Sequence, residues 1–266
     1  MGNTSIAWTE KVWNPVTGCT KISPGCAHCY AERMAHRLAG RCGYPPSPDQ
    51  FRVTLHPDKL DEPLHWKKPA MIFVDSMGDL FHKDVPLSFQ TDVFEVMTKA
   101  YWHTFQILTK RADLMRSRWC VIGAGVAYRL GKQKEPNFWP PKNIWLGVSA
   151  ENQQCADERI PLLLQTPAVG RFVSVEPMLG PVNVQGYLLD GWHKYDPKIR
   201  WLIIGSESVS GDPGRSCNLA WVRSLRDQCV NAGTALFIKQ LEIGGKLVKM
   251  PELDGRQWAE MPGEAA

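Results

Sequence analysis

Short apolar runs that end in polar residues recur along this chain, with helix-like stretches between them. From residue 71 onward, six such runs can be read, at 71–74, 104–108, 144–148, 171–175, 201–204 and 235–238. Apolar runs of this length are typical of strands buried in a parallel sheet, and a repeated strand-then-helix order favours such a sheet. The sequence therefore predicts an α/β fold built from β-then-α units.

The positions of the polar residues distinguish two kinds of parallel sheet. In a TIM-like barrel the carboxyl ends of all strands meet on one face, whereas a doubly wound sheet gathers its functional residues near one switch point. Nearly every run here ends in polar or charged residues, which favours a partial or complete (β/α) TIM-like barrel. We expect a single barrel domain over residues 1–266, with a first strand at 12–16, an insertion at 119–142 and a C-terminal tail at 241–266 that contains a small hairpin.

Three cysteines follow the first expected strand directly. Cys19, Cys26 and Cys29 fall within eleven residues, prolines and glycines flank them, and a helix-like segment comes next. In a chain that is not secreted, grouped thiols indicate a metal site or catalysis rather than disulfides. The segment from Trp13 to Tyr30 is therefore the candidate functional site.

The spacing of these cysteines leaves two kinds of metal centre open. Three thiolates on a four-iron cluster leave one iron free to bind a small molecule. Zinc could instead take the Cys26-x2-Cys29 pair with Cys19, and His28 or His36 as a fourth ligand. Polar residues at the strand ends favour the cluster, because an open iron at a barrel mouth is a catalytic arrangement. A thiolate nucleophile lacks an evident histidine partner, and structural thiols are disfavoured by composition.

Composition limits the partners and the compartment. The net charge of +4 permits nucleic acid as a partner without requiring it. The sequence has no apolar run of 18 residues and no signal-peptide pattern at its start, so we expect a cytoplasmic protein with no membrane contact.

Longer strings resemble a known family. WNPVTGCTKISPGCAHCYAERMA resembles the phage Gp37/Gp68-like family of uncharacterised proteins, and so do FVDSMGDLFH, ILTKR, GVSAENQ, VSVEPMLGP, IIGSES and FIKQ. A cysteine triad after the first strand of a partial barrel also resembles the radical S-adenosylmethionine enzymes. Their usual spacing is CxxxCxxC, and this chain has Cys-x6-Cys-x2-Cys.

The second resemblance implies a function and a set of site residues. It implies that Cys19, Cys26 and Cys29 hold a [4Fe–4S] cluster, and that S-adenosylmethionine binds there and is cleaved to a 5′-deoxyadenosyl radical. By position it implies cofactor contacts for Tyr30, Asp75, Ser76, Asp79, Lys110, Ser149, Glu151, Glu176 and Glu207. Several of these also have a structural reading: Asp75, Asp79 and Ser149 as helix caps, Glu176 as a turn former and Lys110 as a solvated charge.

The partners follow from the same resemblance and from charge. An electron donor is expected. The substrate is not named, but Arg215 and Lys239 could meet an anionic one, and a basic set permits nucleic acid: Arg111, Arg116, Arg118, Arg129, Lys132 and Lys134. The alternative function is a zinc-stabilised, non-enzymatic module that binds nucleic acid or a protein.

Overall fold

A single curled sheet organises the fold. The computed structural model describes residues 4–188 and 198–263, and within them eight strands form this sheet: β1 (Lys11–Trp13), β2 (Met71–Val74), β3 (Thr104–Thr109), β4 (Ile144–Ser149), β5 (Gly170–Val175), β6 (Trp201–Gly205), β7 (Ala235–Ile243) and β8 (Lys246–Lys249). The strands lie in the sheet in chain order. Strands β1 to β7 are parallel, and β8 is antiparallel to β7.

This strand order explains the curl. Each crossover moves to the next strand in the same direction, so right-handed connections place their helices on one face of the sheet. The sheet bends away from that face into a half-barrel, and within the described residues its edge strands β1 and β8 do not pair with each other. The expected partial barrel is therefore the form observed.

Helices and small hairpins complete the described chain. The α-helices are α1 (Tyr30–Leu38), α2 (Glu62–His65), α3 (Leu87–Lys99), α4 (Ala112–Arg129), α5 (Gln153–Leu164), α6 (Gln185–Leu188) and α7 (Leu219–Ala232), with 3-10 turns at Pro24–Cys26 and Pro57–Lys59. Short strands pair outside the main sheet: Val16–Thr17 with Thr54–Leu55, Ser208–Val209 with Asp212–Pro213, and Glu252–Leu253 with Arg256–Gln257.

Two buried clusters line the two faces of the sheet. The larger lies between the sheet and the helices, and the smaller lies inside the half-barrel, around Trp8, Phe172 and Trp201. The Trp8 ring lies 4.7 Å from the ring of Phe73 and 5.9 Å from that of Trp201, centroid to centroid. The N-terminal segment thus fills the interior near the amino ends of the strands, which leaves the carboxyl edge for a site.

Three predicted boundaries change. The first strand is Lys11–Trp13 rather than 12–16. The segment 119–142 is only in part a connection, because α4 runs without a break to Arg129. In the C-terminal tail, the expected hairpin is present at Glu252–Leu253 and Arg256–Gln257, but the tail also extends the main sheet, since β7 continues to Ile243 and pairs with β8.

No helix within residues 4–188 and 198–263 combines the length and the apolar character that crossing a bilayer requires.

Candidate functional site

The loop with the three cysteines, residues 18–29 and here called the cysteine loop, starts beyond the carboxyl end of β1. Its first residue, Gly18, donates its N–H to the carbonyl of Met77, which follows β2, at 2.9 Å. Gly18 has φ +82, and a Cβ there would lie 2.2 Å from the carbonyl oxygen of Arg52. Only glycine fits this position, and it sets the direction in which Cys19 enters the site.

Arg111 connects Cys19 to the end of β3. Its Nη1 donates to Cys19 Sγ at 3.3 Å and to Asp79 Oδ2 at 2.8 Å, and its Nη2 donates to the Thr20 carbonyl at 2.9 Å. Asp79 also accepts from the hydroxyl of Thr109 at 2.7 Å. Arg111 and Asp79 are both buried, so the first cysteine of the loop is held through a buried ion pair.

Glu151, just beyond β4, holds the middle of the loop. Its Oε1 accepts a short hydrogen bond from the Ser23 hydroxyl and one from the Gly25 N–H at 3.2 Å, while its Oε2 accepts from Arg159 Nη1 at 2.7 Å. A Cβ on Gly25 would lie 2.5 Å from the same Oε1 atom. The Ser23 hydroxyl also lies 3.6 Å from Cys26 Sγ. A fully buried carboxylate therefore fixes the turn that presents the second cysteine.

The end of β6 supplies a third anchor. Glu207 accepts from the backbone N–H and from Nε of Arg215, both at 2.9 Å. The Nη2 of Arg215 donates to the Pro24 carbonyl at 2.9 Å. Side chains that follow β3, β4 and β6 thus hold the cysteine loop in place across the carboxyl edge of the sheet. The last cysteine of the loop, Cys29, immediately precedes α1.

The first two thiols differ in their electrostatic surroundings. Burial and the charge of Asp79 raise the pKa of the Cys19 thiol to about 11, against the opposing effect of Arg111. Burial also opposes ionisation of Cys26, but the backbone of Ile22 and the charge of Lys110 outweigh it and lower the pKa of that thiol below its usual value. All three thiols are free and half-buried.

The polar residues after β2 lie beside the start of the loop. Asp75 has φ +56, and its Oδ1 accepts from the Val16 N–H at 2.8 Å. Its Oδ2 is buried and has no hydrogen-bond partner among the described residues. Burial raises the pKa of Asp75 well above its ordinary value. Ser76 donates to the Asn14 side chain at 3.1 Å. Asp75 therefore has one carboxylate oxygen, Oδ2, without a hydrogen-bond donor, whereas Ser76 connects the turn after β2 to the turn after β1.

Other predicted residues lie inside the half-barrel or on its surface. Glu176, at the end of β5, forms an ion pair with Lys239 of β7. Gly205, on the strand between them, leaves room for the Glu176 side chain, because a Cβ there would lie 3.0 Å from it. Ser149 is buried at the end of β4. Tyr30 is 58% exposed at the start of α1. Its predicted contact with a cofactor stays a prediction.

Sequence reasoning placed the right strand ends at this edge but missed several contacts. Asp79, Lys110, Glu151 and Glu207 all act on the cysteine loop or on the residues that hold it. Arg159, within α5, carried no signal that it would reach back to Glu151. Burial and ion pairing also fix Arg111, which the sequence had assigned only to a basic surface.

A family comparison covers almost the whole chain. Residues 3–262 match the model of a protein family of unknown function, DUF5131. The chain belongs to the DUF5131 family. No curated protein and no solved structure matches it. The membership agrees with the expectation of an uncharacterised family, and the resemblances to phage Gp37/Gp68-like proteins and to radical enzymes stay predictions.

The donors that this DUF5131 chain offers in the cysteine loop are three free thiols, the ligand type that iron–sulfur clusters use. Within residues 4–188 and 198–263, no three His, Cys, Asp or Glu side chains come close enough together to hold a single metal ion. The thiolates of a four-iron cluster bind different irons, so they need not converge on one point. The guanidinium of Arg111 beside Cys19 Sγ is the kind of hydrogen-bond donor that tunes cluster sulfurs.

Proposed function

We propose that this chain is an iron–sulfur enzyme similar to the radical S-adenosylmethionine enzymes, with Cys19, Cys26 and Cys29 as the ligands of a [4Fe–4S] cluster. The observation that carries the proposal is the cysteine loop itself, anchored across the carboxyl edge of a half-barrel by the ends of three strands. Active sites of barrels built from β-then-α units form at this edge.

The chemistry of the bound groups would be redox chemistry. When bound, the cluster and S-adenosylmethionine would supply, on one-electron reduction, a 5′-deoxyadenosyl radical that takes a hydrogen atom from the substrate. The side chains around the loop would then hold the ligands, receive the charged ends of the small molecule and keep water out.

Asp75 supports a site for a cation beside the loop. Its Oδ2 is a buried acceptor with no donor among the described residues, and burial raises the pKa of the carboxyl well above its ordinary value. An ammonium group at this oxygen would favour the ionised carboxylate and offset the effect of burial. Lys110 offers the opposite charge near Cys26 and Glu151, where it lowers the pKa of both. The two residues could bind the amino and carboxylate groups of one amino acid.

The interior of the half-barrel supports chemistry that excludes water. Phe172, Trp201 and Phe237 form an aromatic floor with Trp8, and the Glu176–Lys239 pair lies above it near the carboxyl edge. An apolar lining would help to keep solvent away from a reactive species, which is a requirement of radical chemistry. The polar pair would orient a substrate at the mouth.

The experiment is anaerobic reconstitution followed by reduction with dithionite in the presence of S-adenosylmethionine. We expect release of 5′-deoxyadenosine, measured by mass spectrometry, and its loss in Cys26→Ala. The control is Glu158→Gln, an exposed carboxylate on α5, which should behave as the parent does. Reconstituted protein that holds iron and sulfide but releases no 5′-deoxyadenosine would overturn the proposed reaction. Zinc without iron would favour the alternative of a metal-stabilised binding module.

A further inference from the structure

The segment that contains the cysteine loop carries a net positive charge. Residues 19–52 have five cations and two carboxylates, a net charge of +3. Lys21 is neutralised by Glu32 at 2.8 Å. The other four cations are all arginines: Arg33, Arg37, Arg41 and Arg52.

These arginines lie on and beside α1. Arg33 and Arg37 are one helical turn apart, and Arg41 continues the spacing just past the helix. Arg37, Arg41 and Arg52 are exposed, whereas Arg33 is half-buried and donates to the Ser208 carbonyl at 3.4 Å. Arg41 donates to the Arg37 carbonyl at 3.1 Å. None of the four forms an ion pair with a described residue. The Gln50 amide contacts His36 of α1 at 2.7 Å, which brings the segment around Arg52 against the same helix. We call these four residues the arginine surface.

The cations that the sequence had suggested for nucleic acid are used differently. Arg111 is buried against Asp79, Arg129 pairs with Asp92 and Glu95, and Lys132 pairs with Glu135. Arg118 donates to three backbone carbonyls. Arg116 is exposed, as is Lys134. Three of the six are thus paired with carboxylates within the protein, whereas the described part of the chain offers the arginine surface no carboxylate.

Apolar groups accompany the arginine surface at its end nearest the cysteines. Tyr30 is 58% exposed and Ile22 is 48% exposed, and Tyr30 directly follows Cys29. An exposed aromatic ring on the same helix as an exposed guanidinium suits a single-stranded nucleic acid, in which bases stack and phosphates accept paired hydrogen bonds from arginine. An acidic protein would match the charge but would not require the exposed ring.

We propose that the arginine surface binds single-stranded nucleic acid, with Tyr30 stacking on a base beside the cysteine loop. The assignment of that strand as substrate rests on the proposed function; the binding itself does not. A strand that lies along α1 passes from the arginines to Tyr30 and then to Cys29, and so delivers a base to the mouth of the half-barrel.

The test is binding of a fluorescein-labelled oligothymidine of about 16 nucleotides, followed by anisotropy across a range of salt concentrations. For each phosphate that an arginine no longer neutralises, the slope of log K against log salt should become shallower by about 0.7. Arg37→Gln/Arg41→Gln should therefore reduce the slope by about 1.4 and weaken binding at low salt. The matched control is Lys67→Gln/Lys68→Gln, which removes the same charge from exposed residues that precede β2, at the opposite edge of the sheet, and should leave the slope unchanged.

A second pair of variants tests the stacking. Tyr30→Ala should weaken binding by about tenfold, and Tyr30→Phe should retain it, because the ring stacks and the hydroxyl does not. Equal weakening in the arginine and lysine variants, or affinity that does not change with salt, would overturn the proposal. Displacement by polyglutamate together with unchanged binding in Tyr30→Ala would also overturn it, in favour of an acidic protein partner.

The outcome is separable from that of the proposed function. Iron content is measured on the same preparations. Binding that follows these expectations in protein that cannot take up iron supports the arginine surface and refutes the enzyme. If the protein takes up iron and is active, but its affinity for the oligonucleotide is unchanged by the arginine substitutions, the arginine surface is refuted. The proposed enzyme function then still stands.

Discussion

Glu151→Gln tests whether a strand-end carboxylate organises the cysteine loop. The parent residue is fully buried and accepts from Ser23, Gly25 and Arg159. Removing one partner of a buried ion pair costs about 3–5 kcal/mol. Glutamine keeps one acceptor for the loop, and Arg159 keeps its bond to a backbone carbonyl at 2.8 Å. The expected loss is therefore that of a charged hydrogen bond, about 1.5–3 kcal/mol.

The assay is urea unfolding followed by tryptophan fluorescence, with iron content after reconstitution as the second readout. Glu158→Gln on the same helix as Arg159 is the control, and it should change the free energy of unfolding by less than about 0.5 kcal/mol. Because Glu151 holds the turn before Cys26, the variant should also take up less iron than the control. If Glu151→Gln matched Glu158→Gln in both stability and iron content, the anchoring role would be wrong.

Three further variants test other parts of the structure. Gly18→Ala should lower the free energy of unfolding in urea more than Gly40→Ala. Both residues have a positive φ, which costs about 1–2 kcal/mol for alanine. Only at Gly18 would the added methyl group also lie 2.2 Å from a carbonyl oxygen. Equal losses would contradict the close approach. Asp75→Asn should raise the free energy of unfolding near neutral pH. The pKa of Asp75 is raised in the folded state, so the parent loses stability as the pH rises from about 3.8, and the variant does not. If the free energies of unfolding of the two proteins varied with pH in parallel, the prediction would be wrong. Trp8→Ala should cost about 3–5 kcal/mol in thermal or urea unfolding, whereas Tyr101→Ala, at a side chain 76% exposed, should cost little, and a mild Trp8 variant would contradict the aromatic floor.

The sheet could be predicted from sequence because its strands are apolar on both faces. The run 71–74 coincides with β2, and the runs for β3 to β6 differ from the strands by one residue. Strand β7 was predicted too short because Lys239 and Gln240 interrupt its apolar run, although the extended strand continues through both residues. The insertion predicted at 119–142 begins inside α4, because the helix continues through Gly123 and Gly125 to Arg129.

The site was predictable in location but not in contacts. Polar residues after strands must meet at one edge of a parallel sheet, which is why Asp79, Glu151 and Glu207 were identified. Which of them would hold the loop depends on distant partners such as Arg159 and Arg215, and no spacing rule connects these pairs. The arginine surface did carry a signal, the helical spacing of Arg33 and Arg37, whereas Arg118 and Arg129 of α4 are held by residues that only the fold brings near.

The account's central claim is that the three cysteines hold an iron–sulfur cluster. The most direct measurement is the content of iron, acid-labile sulfide and zinc in anaerobically purified and reconstituted protein. We predict about four iron and four sulfide per chain, together with broad visible absorption, and loss of both in Cys26→Ala but not in Cys120→Ala, an exposed cysteine on α4. Zinc with no iron or sulfide, or iron content unchanged by Cys26→Ala, would contradict the claim.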